Sequence, residues 1–168
     1  MKKHIITAAI LAAVFIITIK LIKAKKQVKK TMRTSEEGIK FIVKEEGTRR
    51  TAYKDTKGLW TIGVGHLIIL PQEEHLLKAN LNDKQIEDLL INDLAIAENE
   101  VNRIRTPLSQ NQFDALVSIC FNVGIGNFRK SQLAQAIRDG NKILAADLIV
   151  KNGYHKERRI REKELFLS

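Results

Sequence analysis

The stretch Glu46-Gly47-Thr48-Arg49-Arg50-Thr51-Ala52-Tyr53-Lys54-Asp55-Thr56-Lys57-Gly58-Leu59-Trp60-Thr61-Ile62-Gly63-Val64-Gly65-His66 is where the pattern of this chain changes. Before it, Ile39, Ile42 and Val43 recur at the spacing of one helix face. Gly47 is placed to stop that helix in a left-handed conformation. Within the stretch, β-branched and aromatic residues flank Asp55-Thr56-Lys57-Gly58, a turn signal between two short strands. Gly63 and Gly65 mark places where the backbone bends or packs closely.

Outward from this hairpin the helical period returns on both sides. Thr34 followed by Glu37 fits a capping box at the start of the first helix. Asn82 followed by Gln85 is a second such signature, ahead of Ile86, Leu89, Leu90 and Leu94. Ser109 is placed to cap a buried helix through Phe113, Leu116, Val117, Cys120 and Phe121, which Gly124 closes. Residues 131–139 and 141–150 read as two further helices separated by Gly140, and a last helix runs from about Lys156. Helices on either side of one small hairpin predict an α+β domain over residues 34–168.

Hydrolysis of a glycosidic bond uses two carboxyl groups with different tasks, one protonated to donate to the leaving oxygen and one ionised to activate water or attack carbon. Glu46 is the last residue before the Gly47 stop, and the partial negative charge of a helix C-terminus disfavours a carboxylate there. Asp55 opens the turn, where solvent and local amides favour its ionised form. Thr61 lies on the returning strand, where its hydroxyl could face Asp55 with a water between them. Taken singly, each residue has a plainer explanation: a surface glutamate, a turn aspartate, a strand threonine.

Together they resemble a known signature. A glutamate, eight residues, an aspartate, five residues and a threonine, closing on Thr61-Ile62-Gly63-Val64-Gly65-His66, is similar to the pattern of the phage-type lysozymes of glycoside hydrolase family 24. The run Gln110-Asn111-Gln112-Phe113-Asp114-Ala115-Leu116 and the block Phe121-Asn122-Val123-Gly124 resemble the family's second segment, and Arg158-Arg159 ahead of Leu165-Phe166-Leu167 resembles its C-terminal helix. The likeness spans residues 35–168.

The resemblance implies a mainly helical lysozyme-like fold, with Glu46 as general acid and Asp55 and Thr61 holding the attacking water. It implies hydrolysis, with inversion, of the β-1,4 bond between N-acetylmuramic acid and N-acetylglucosamine in peptidoglycan glycan strands. It also implies that His66 pairs with Asp93, tying hairpin to helix, and that Arg158 or Arg159 faces Glu46, the alternative for each being an ion pair with Glu157 or Glu162. Leu67, Phe121, Asn122 and Ser131 are the expected lining of the sugar cleft, although Phe121 equally suits plain core packing. A histidine among carboxylates is also material for a metal site, but no further ligand completes one, so neither metal nor cofactor is expected. The connection Lys151-Asn152-Gly153-Tyr154-His155-Lys156 is shorter than is usual in the family, which predicts a different cleft wall there.

The formal net charge is +10, but its location decides its meaning. Residues 1–33 hold nine Lys or Arg and no Asp or Glu, whereas residues 34–168 hold twenty against nineteen. The basicity thus belongs to the N-terminal segment, and the folded part lacks the basic face of a nucleic-acid binder. The lone Cys120 excludes an internal disulfide.

Residues 5–19 carry no charge, and as a helix residues 5–22 would reach roughly 27 Å, just short of a bilayer core, with Lys20 able to snorkel. No small-residue cleavage site follows, which favours an uncleaved signal-anchor over a signal peptide. The segment 1–33 is therefore expected to be an N-terminal hydrophobic helix and basic stalk that associates with the bacterial inner membrane. The basic flank after the apolar run would hold the domain in the cytoplasm by charge bias, whereas wall hydrolysis requires export to the periplasm or cell-wall side. The leading expectation is a monomeric, tethered or exported endolysin-like muramidase. Its rival is a non-catalytic membrane-active or wall-binding protein with a basic N-terminal helix.

Overall fold

A computed structural model describes residues 31–151 and 155–168, and residues 5–22, expected to form a hydrophobic helix, lie outside them. The chain divides into two units, 1–31 and 32–168. Among the described residues no helix is long and apolar enough to cross a membrane.

The larger unit begins with α1 (Glu36–Glu46), followed by β1 (Arg49–Lys54), β2 (Trp60–Gly63), β3 (His66–Leu67) and a 3-10 turn at Glu74–Lys78. Six helices complete it: α2 (Asp83–Asn102), α3 (Gln110–Val123), α4 (Ile125–Lys130), α5 (Gln132–Arg138), α6 (Lys142–Lys151) and α7 (Lys156–Leu167). The mainly helical α+β architecture is as expected, with two differences. The hairpin gains a third strand, Thr61 and Ile62 of β2 pairing with Leu67 and His66 of β3. The short α4 follows directly on Gly124, where the sequence suggested only an end.

Capping explains most helix starts. Asn82 and Ser109 each accept from the amide three residues on, and the Gln85 and Gln112 side chains return the bond, so both capping boxes form. The first helix differs from expectation. Ser35, not Thr34, is its N-cap, accepting from the Gly38 amide at 3.0 Å. Thr34 instead gives its amide and hydroxyl to the Glu98 carboxylate, each at 2.8 Å. Tertiary partners displace the local box here, because Asp114 also takes the Ser35 amide and hydroxyl. A Cβ on Gly38 would come within 2.6 Å of the Asp114 Cγ, so only glycine allows α1 this close to α3. Gly47 ends α1 at a positive φ of 73° with an extended ψ, outside the left-handed helical well.

The core centres on α3, whose residues from Phe113 to Cys120 are all buried. It packs against α7, α2 and α1, with Ile42, Leu90, Leu94, Phe128, Ile137, Ile149 and Phe166 around it. Cys120 is fully enclosed, and burial pushes its thiol up to about 12, which makes it an inert small core residue. With α3 fixed between α1 and α7, the C-terminal end of α1 faces the N-terminal turn of α7, and the site lies there.

Candidate active site

Glu46 closes α1, and its Oε1 accepts from Nη1 of Arg158 at 2.7 Å. Of the two candidate arginines, Arg158 is therefore the one bonded to Glu46. A helix C-terminus is an unfavourable place for a carboxylate, and the guanidinium supplies the compensating charge. Beside them, Arg161 clasps Glu45 through Nε and Nη2 at 2.6 and 2.8 Å, holding the Glu45 carboxyl below its usual range. Both pairs line a cleft of about 930 Å³, with Thr56, Asn122 and residues 155–157 forming other parts of its wall.

The pairing of Arg158 or Arg159 with Glu162 also occurs, but deep in the protein. Glu162 has no exposed surface. Its Oε1 accepts from Nε of Arg158 at 2.9 Å and from the Ser118 hydroxyl at 2.7 Å, while Oε2 accepts from Arg159. Burial pushes the Glu162 carboxyl up, against the pull of Arg159, Arg158 and Ser118. Burial also works against the Arg158 charge, but Glu162 and Glu46 more than offset it, and its proton is held more tightly than usual. Arg159 is bonded to Asn122 rather than to Glu46. Burial lowers its pKa despite Glu162.

The hairpin turn is organised by Asp55. Its Oδ1 accepts the Lys57 and Leu59 amides, both at 2.8 Å, and its own amide and carbonyl bond Leu59 and Gly58 at 2.9 Å. Thr61 is buried on β2 and donates its hydroxyl to the Leu59 carbonyl at 3.2 Å. Asp55 and Thr61 thus meet through Leu59, and the neighbouring Thr56, not singled out in the sequence, reaches the cleft wall.

His66 lies between two carboxylates. Its Nδ1 is 3.0 Å from Asp93 Oδ2, the pairing expected from the sequence, and its Nε2 is 3.2 Å from Glu73. Glu73 also accepts the Ile69 amide at 2.8 Å, the main cause of its lowered pKa. Burial raises that of Asp93, against the pull of His66.

Asn122 lies on the cleft wall, and with Ser131 it also lines a neighbouring apolar cavity of about 140 Å³. Ser131 caps α5, accepting from the Ala134 amide. Phe121 packs on the core, and Leu67, 47% exposed, stands on β3. No cluster suited to a metal ion occurs among the described residues.

Sequence reasoning passed over Glu45, Glu73, Ser118 and Arg161, and treated Glu162 only as a surface partner. The one available signal was the spacing of Glu162 three and four residues after the double arginine, which places all three on neighbouring rows of a helix.

The family model described as phage lysozyme matches residues 43–161. The endolysin of Salmonella phage P22 is 36% identical over 145 residues, covering 82% of this chain and 99% of that protein. The crystal structure of a mutant of the P22 lysozyme superposes with a TM-score of 0.74 at 35% identity, over 82% of this chain and 99% of that one. A SAR-endolysin of Enterobacteria phage P21 is 33% identical over 97 residues, which is 57% of this chain and 56% of that one. The chain belongs to the phage lysozyme family.

Proposed function

We propose that this protein is a peptidoglycan-lytic muramidase. It hydrolyses the β-1,4 bond between N-acetylmuramic acid and N-acetylglucosamine, with inversion and without a cofactor. The observation that carries this reading is the Glu46 carboxyl in the cleft, bonded to Arg158 at 2.7 Å. In this reading Glu46 protonates the leaving oxygen. Asp55 has one oxygen committed to two amides, leaving the other to take a proton from the attacking water. Thr61, its hydrogen directed to Leu59, keeps oxygen lone pairs to hold that water. His66 and Asp93 fasten the sheet to α2, and Leu67, Phe121, Asn122 and Ser131 bind the glycan strand.

Residues 5–22 would tether the enzyme, as a monomer, to the inner membrane before it reaches the wall. The likeness to a P21 SAR-endolysin supports a membrane-associated or exported location. The nucleic-acid class is set aside because the excess charge lies in residues 1–33.

Digestion of defined muropeptides tests the chemistry. Reducing-end products are expected from wild type and none from Glu46→Gln, whereas anhydro-sugars would mean a transglycosylase. An active Glu46→Gln would remove the acid assignment and favour the membrane-active rival. Mass spectrometry of the membrane fraction tests the tether, and a product starting near residue 24 would remove it.

A further inference from the structure

Successive residues of an α-helix point about 100° apart, so Arg158 and Arg159 leave α7 in different directions. Both are nonetheless buried, and both are bonded to one carboxylate. Glu162 divides its oxygens between them, Oε1 serving Arg158 and Ser118, Oε2 serving Arg159. Beyond this hub the two guanidiniums diverge. Arg158 reaches Glu46 on α1, and Arg159 reaches Oδ1 of Asn122 on α3. The Asn122 oxygen is thereby engaged, and the residue also lines the cleft.

We propose that Glu162 is a positioning residue for glycan cleavage. Its buried charge fixes Arg158 against Glu46 and Arg159 against Asn122, and it balances the two guanidiniums so that Glu46 can hold the proton it donates. The proposal rests on Glu46 being the general acid.

The physical reason is charge balance in a poorly solvated cluster. Two arginines and two glutamates make a neutral set when Glu46 is ionised, with a single excess positive charge when Glu46 is protonated. Without the Glu162 charge, Glu46 becomes the only anion bonded to either of the two buried cations, through Arg158. It is then held as carboxylate, and an acid that is already ionised has no proton to give. The other charged groups around Glu46 are Glu45, His155, Lys156, Glu157 and Arg161, all on the cleft wall. Arg161 is engaged by Glu45, and none of the five is bonded to Glu162, so this background is common to the variants below.

The test is kcat against pH on glycan strands from purified peptidoglycan, read as new reducing ends. Glu162→Gln is close in shape and lacks the charge. It should move the high-pH limb down by about one pH unit, and activity on that limb should fall about tenfold. Arg159→Met removes one cation and keeps Glu162, so the same limb should move up. A purely structural role would lower the melting temperature of both variants and leave the limb in place. Limbs that coincide with wild type in both variants overturn the proposal, and if Glu162→Gln does not fold, the direction seen in Arg159→Met decides. Glu46→Gln separates the two levels. If it is inactive while the limbs stay fixed, only the role of Glu162 falls; if it is active, the acid assignment falls first.

Discussion

Arg158 donates from Nη1 to Oε1 of Glu46 at 2.7 Å across 112 positions of sequence. The same guanidinium is bonded through Nε to Glu162 and through Nη2 to Ser118, so one side chain joins α1, α3 and α7 at the cleft.

Replacing Arg158 by Met should therefore be costly twice. Glu162 would lose one of its two buried cation partners, and breaking such a pair destabilises by about 3–5 kcal/mol. Glu46 would lose its anchor, with an expected fall in kcat of about a hundredfold. Urea unfolding and reducing-end assays below the new melting temperature measure the two effects separately. Wild-type turnover in a destabilised Arg158→Met would limit the arginine to a structural role.

Asp55 holds the turn through one oxygen and should act on water through its charge. Asparagine supplies an equivalent oxygen to the Lys57 and Leu59 amides but no negative charge. Asp55→Asn should lower kcat by about a hundredfold or more while the melting temperature barely moves. Asp55→Ala should lose both activity and about 1–2 kcal/mol of stability, since two amides lose their acceptor. Equal activity in wild type and Asp55→Asn would reduce Asp55 to a turn residue.

Glu100 links pH to stability. It is buried on α2 and bonded by Arg129 at 2.9 Å from Nε and 2.5 Å from Nη2, which holds its carboxyl below the ordinary value of 4.5. A depressed folded-state pKa contributes stability that is complete above the unfolded value and is lost as pH falls through the folded one. Because Arg129 is half exposed, the contribution is screened to about 1 kcal/mol. Glu100→Gln should thus be less stable than wild type at pH 7, with the gap closing as pH falls below 4.5. Urea midpoints at pH 7, 4.5 and 3 decide it. A gap that stays constant would trace the loss to packing and not to ionisation.

Much of the fold was legible because it is governed by neighbours in sequence. The caps at Asn82 and Ser109, the Asp55 turn and the glycine after Glu46 follow from hydrogen bonds spanning a few residues, and the sequence specifies these directly. The candidate site was readable for the same reason: Glu46, Asp55 and Thr61, the proposed catalytic residues, lie close together in the chain at a spacing that resembles the phage-type lysozyme signature. Where the sequence misled, a distant group outbid a local one. Thr34 left its capping box for Glu98, sixty-four positions away. His66 met Asp93 as expected, and it also met Glu73, seven positions on, which sequence reasoning passed over. Only the tertiary structure decided which arginine meets Glu46, and that Glu162 is buried between both arginines. Those outcomes depend on which side of α7 faces α1 and α3, and the packing around Phe113, Leu116 and Phe166 sets that face.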